Sequence, residues 1–104
     1  MSILHTVNKS AYERNALDSC LGHTKPGDSV LLIEDGVISA RAGSVAGDKL
    51  AAALGETGVS IYALGADMAA RGIPEDKLVD GVKVVDYAGF VDLAAENDAV
   101  EAWL

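Results

Sequence analysis

Short apolar runs alternate with helix-like stretches from one end of this chain to the other. That order limits the fold more than any other feature. The first apolar run covers residues 3–7. Ser10 followed by Glu13 reads as a capping box, which predicts a helix from there to about Leu21. Gly22 and Pro26 then stop it. Residues 29–33, SVLLI, form a continuous apolar run of the kind found in strands covered on both faces. The stretch DGVISARAGS that follows reads equally as a turn of helix or an edge strand. Ser44 caps a second helix, in which Leu50, Ala51 and Leu54 recur at helical spacing and which Gly55 and Gly58 end. A third strand is expected over 59–64 and a short helix over 67–71, closed by Gly72 and Pro74. A fourth strand covers 82–85, and Asp86 caps a last helix with Tyr87, Phe90, Val91 and Ala94 on one face. Strand–helix alternation of this kind requires right-handed crossovers and a parallel sheet. The expectation is one α/β domain over 1–104: three layers, α/β/α, around a mostly parallel sheet of four to five strands. The terminal AVEAWL leaves Trp103 either exposed or docked on the domain.

Composition narrows the function. Half of the 104 residues are hydrophobic but only 5% are aromatic, so the core is built from small aliphatic side chains. Sixteen acids against eight bases give a formal charge of -8. Such a balance argues against direct binding to nucleic acid or to an anionic membrane, which both need a positive face. One cysteine cannot form an internal disulfide. No basic start followed by an apolar run marks a signal peptide. No apolar run approaches the roughly 20 residues needed to span a bilayer. Cytoplasm is the expected location.

Several chemistries lack their signatures. Neither a G-x-G-x-x-G nor a G-x-x-x-x-G-K-[ST] loop is present, so no nucleotide cofactor is expected. No serine nucleophile elbow occurs. His5 and His23 are the only histidines, and with one cysteine they make a poor metal set. GSVAG at 43–47 reads as a plain loop-to-helix junction. His5, near the end of the first strand, reads as a hydrogen-bonded structural residue. Asp35, Asp67 and Asp86 fall near strand ends and read as caps or turn residues.

That leaves Cys20. With Leu17 at the centre of the first helix's apolar stripe, Cys20 lies about 60° to one side, on the margin of the buried face. The helix carboxyl end disfavours a thiolate there, while His23 and Lys25 offset this. A crossover helix runs antiparallel to its strands, so Cys20 lies away from the usual ligand crevice of an α/β sheet. Two readings stand side by side: a small apolar filler, or a thiol that meets another polypeptide.

The sequence also resembles the DsrH/TusB family. The resemblance rests on LHT at 4–6 with Ser10 following, LLIEDGV at 31–37, IYALGADMAARG at 61–72, VVDYAGFVDL at 84–93 and AW at 102–103. It implies a DsrEFH-like, flavodoxin-like α/β subunit that assembles with DsrE/TusD-like and DsrF/TusC-like paralogues into a heterohexamer. It further implies a cytoplasmic persulfide relay with a DsrC/TusE-like acceptor. TusB-type relays end in tRNA 2-thiouridine, and DsrH-type relays serve oxidation of stored sulfur. The family's principal sulfur-carrying cysteine is on the DsrE/TusD-like subunit. TusB-type sequences can lack a cysteine at the position of Cys20 and DsrH-type ones carry it, so the resemblance points to sulfur oxidation, with Cys20 as a secondary persulfide or partner-contact thiol. The alternatives are a purely structural subunit of the complex and a TusB-type subunit in tRNA 2-thiouridine synthesis.

Overall fold

The computed structural model describes residues 1–104. Five strands, β1 (Ile3–Val7), β2 (Ser29–Leu32), β3 (Ser60–Leu64), β4 (Lys83–Val85) and β5 (Ala99–Trp103), form one sheet in the order β4-β3-β2-β1-β5. Every pairing is parallel. The helices are α1 (Ala16–His23), α2 (Val45–Glu56), α3 (Gly65–Ala70) and α4 (Tyr87–Glu96), with 3-10 turns over Glu34–Ala40 and Glu75–Lys77.

The expected layers are present, and handedness explains how they are filled. From β1 to β4 the chain steps along the sheet in one direction. Right-handed crossovers therefore put the connections on one face. On that face Leu17 and Cys20 of α1, and Ala46, Leu50 and Ala53 of α2, pack on Val7, Val30, Leu32, Ile61 and Ala63. From β4 to β5 the chain steps back across the whole sheet, so the same rule sends α4 to the other face. There Leu93, with Phe90 and Ala94, packs on Leu4 and Leu31. The strand order differs from the 2-1-3-4-5 of flavodoxin, although the layering is alike.

Two helix caps match the sequence reading. Ser44 Oγ accepts the Gly47 N–H at 2.9 Å, and Asp86 Oδ1 accepts the Gly89 N–H at 2.8 Å. The capping box at Ser10 does not form. Ser10 Oγ accepts from Tyr12 N–H and its carbonyl accepts from Glu13 and Arg14, closing an isolated turn, while Glu13 is exposed. The neighbouring Ala11 N–H donates to Ser39 Oγ, which ties this turn to the 3-10 segment. That long-range bond overrides the local signal, and α1 starts later, at Ala16. Gly55 does not end α2 either; the helix runs to Glu56 and the chain turns at Gly58, where φ is +72°.

The undecided DGVISARAGS stretch is mostly 3-10 helix, and the terminal AVEAWL is mostly the fifth strand. Gly36 shows why the first of these is tight. A Cβ there would collide with the Val7 carbonyl at the end of β1. We expect Gly36→Ala to lower stability by about 3 kcal/mol, the upper range of overpacking. Gly22, helical in α1 with open space around it, is the control. Gly22→Ala is expected to raise stability by about 0.5–1 kcal/mol. Urea denaturation midpoints of the two variants read both effects.

Candidate functional site

Cys20 is 0% exposed. It does not sit on the margin of the buried face, as the helical stripe suggested. Ala16, Leu17 and Cys20 are the buried residues of α1. The stripe is shifted because α1 packs against β5 as well as β1, and β5 is not evident in the sequence. Burial pushes the Cys20 thiol up to about 12, and the negative charges of Glu101 and Asp28 add to the effect. In this conformation Cys20 is a neutral, enclosed thiol.

Next to it lies a chain of polar groups. Asp28, just before β2, is 2% exposed. Its Oδ1 accepts the Ile3 N–H at 3.0 Å; its Oδ2 accepts the Lys25 N–H at 3.1 Å and meets His5 Nε2 at 2.9 Å. Burial opposes ionisation of Asp28, but the bonds from His5, Ile3 and Lys25 outweigh it and hold the carboxyl below its usual range. His5 is in turn 1% exposed, and Trp103 Nε1 donates to its Nδ1 at 3.0 Å. An indole nitrogen only donates, so Nδ1 accepts and the imidazole proton lies on Nε2, facing Asp28. The His23 ring of α1 lies 5.2 Å from the indole, and its Nδ1 is 2.6 Å from the Ser19 carbonyl.

The structural reading of His5 therefore holds, and Trp103 docks. What the sequence did not reveal is the partner. Asp28, within KPGDSV, reads as a turn residue, and nothing local signals that its carboxylate turns back under β1. The other motif residues meet at the carboxyl edge of the sheet. Arg71 Nε donates to Asp35 Oδ1 at 2.9 Å, and Asp67 Oδ2 accepts the Glu34 N–H. Glu34 is held there at φ +49°. The DGV and ARG blocks thus serve to tie the 3-10 segment to α3. An open depression bordered by Gly65, Val84, Asp86 and Gly89 lies by β4, at the sheet edge opposite β5. No group of three or more His, Cys, Asp or Glu side chains is gathered to hold a metal ion.

These features define a small parallel α/β protein with its thiol buried in the core beneath α1, and its polar motif residues bonded to one another. Comparison with known proteins makes the definition specific. The model of the family described as "DsrH like protein" matches residues 9–100. Protein TusB of Photorhabdus laumondii is 35% identical over 103 residues, covering 97% of this chain and 100% of its own. Protein TusB of Pectobacterium parmentieri is 37% identical over 101 residues, with the same coverage. This chain belongs to the DsrH/TusB family. Among solved structures, the ychN protein from E. coli superposes with a TM-score of 0.80 at 17% identity, covering 98% of each chain. A protein of unknown function from Methanobacterium thermoautotrophicum gives 0.77 at 19% identity, covering 97% of each. At such identities the likeness concerns the fold alone.

Two measurements check the site. At about pH 8 the native Cys20 thiol is expected to react with a disulfide reagent at least about a thousandfold more slowly than in the urea-unfolded chain, because the enclosed sulfur must both open to solvent and ionise. For Asp28 the sign follows from its lowered value. Its contribution is full above the unfolded carboxylate range and disappears as pH falls through the folded value. Asp28→Asn is therefore expected to cost about 1–3 kcal/mol at neutral pH. Below about pH 4 the difference from wild type should shrink, as read by denaturation at each pH.

Proposed function

We propose that this protein is a subunit of a sulfur-relay complex, a cytoplasmic sulfurtransferase assembly, and that it contributes shape and contacts rather than a reacting group. Family membership along nearly the whole chain is the observation that carries this reading. The partners it calls for are DsrE/TusD-like and DsrF/TusC-like paralogues, arranged as a heterohexamer, with a DsrC/TusE-like protein as the sulfur acceptor. The exposed apolar residues Tyr87 and Val91 of α4 and Val100 of β5 are consistent with a chain that buries surface against other subunits. No helix is long and apolar enough to cross a membrane.

The enclosed, neutral Cys20 supports the structural role over that of persulfide carrier, because sulfur transfer runs through the thiolate. A carrier role needs the contact between α1 and β5 to open. The cysteine itself favours the sulfur-oxidation branch of the family. The named relatives favour the second reading, a TusB-type subunit in tRNA 2-thiouridine synthesis.

Co-expression with the two neighbouring paralogues tests the assembly. This chain should elute with both at the mass of a multi-subunit complex, and a monomer in that mixture would count against the proposal. Within the complex, Cys20→Ala should assemble and pass sulfur at near the wild-type rate. If transfer stops, and mass spectrometry finds wild-type Cys20 heavier by one sulfur atom, Cys20 is the carrier.

A further inference from the structure

Trp103, the only tryptophan, ends β5, an edge strand of the sheet. Its indole packs on the cluster that contains Cys20 and makes one hydrogen bond, to His5 Nδ1. In the neutral ring both imidazole nitrogens of His5 are satisfied, one by Trp103 and one by Asp28. A second proton has only Nδ1 to occupy. There it would point at the indole N–H, donor against donor, 3.0 Å away. The neutral ring is therefore the fully bonded one, and a protonated ring expels the indole.

Two acidic residues of neighbouring elements lie beside His5. The Asp28 carboxylate faces Nε2, and Glu101 is the register partner of His5 across β1 and β5. From α1, Cys20 presents a neutral thiol and the His23 ring lies tilted against the indole. From the loop before β2, Lys25 gives its N–H to Asp28 while the residue itself is exposed. Trp103 thus bonds only to a neutral ring, whereas the Asp28 carboxylate accepts from Nε2 in either protonation state.

We propose that Asp28, His5 and Trp103 form a proton-operated latch: neutral His5 fastens the indole over the seam between α1 and β5, and protonation at Nδ1 releases it and loosens the cover over Cys20. The latch stands on hydrogen-bond geometry and is independent of the sulfur-relay reading.

The lone indole N–H resonance reports the latch without ambiguity of assignment. The His23 ring lies against the same indole, so the experiment uses His23→Gln alongside wild type. As the pH is lowered, the indole N–H should shift in one step with the His5 ring protons. Below the step its solvent exchange should be about tenfold faster, the equivalent of one hydrogen bond. An indole N–H that ignores His5, or stays slow throughout, overturns the latch. Trp103→Phe keeps the ring and removes the donor. At a fixed pH of about 8 its Cys20 should be alkylated about tenfold faster than wild type, with little dependence on sub-denaturing urea, as expected for local opening. Alkylation that instead follows the global unfolding equilibrium in both proteins would mean that Cys20 opens only when the whole fold does, contrary to the proposal.

Discussion

Parallel strands are joined only by crossovers, and the crossovers keep one hand. In this chain that constraint acts most visibly at the last strand. Having stepped from β1 to β4, the chain returns over the opposite face through α4 and adds β5 outside β1. The register of that pairing sets Trp103 opposite Val7 and Glu101 opposite His5. Helix α1, which otherwise would cover an edge strand, becomes a helix over two strands. Its thiol, expected at the margin, is thereby enclosed.

Once Cys20 is enclosed, its chemistry follows. A thiol in apolar surroundings beside two carboxylates stays protonated. The same region nonetheless holds an ionised carboxylate, because Asp28 receives two backbone N–H groups and the imidazole. Burial has opposite outcomes for the two groups because one has hydrogen-bond donors and the other has none. The polar chain from Asp28 to Trp103 joins the loop before β2 to the end of the sequence. It links segments that are 75 residues apart by number (103 minus 28).

Much of the fold was legible because its signals are local. Apolar runs marked the positions of β1 to β4, and Ser44 and Asp86 cap where their sequence context says they should. Three features were not legible, each for a physical reason. The capping box at Ser10 competes with a tertiary bond to Ser39. AVEAWL pairs as a strand only because β1 offers it an open edge. The burial of Cys20 depends on that strand. Of the site, His5 was read correctly as structural, but its partner Asp28 was hidden in an ordinary turn sequence. The carboxyl-edge motifs carried the family resemblance, and they prove to bond to one another.

The enclosure of Cys20 requires that β5 stay paired beside α1 when the protein is in its assembly. The most direct test is a crystal structure of the complex formed with the paralogous subunits. The account predicts β5 paired to β1 in the register seen here, Trp103 bonded to His5, and the Cys20 sulfur touching only atoms of its own chain. A structure in which β5 has left β1, and the Cys20 sulfur faces a neighbouring subunit, would contradict it.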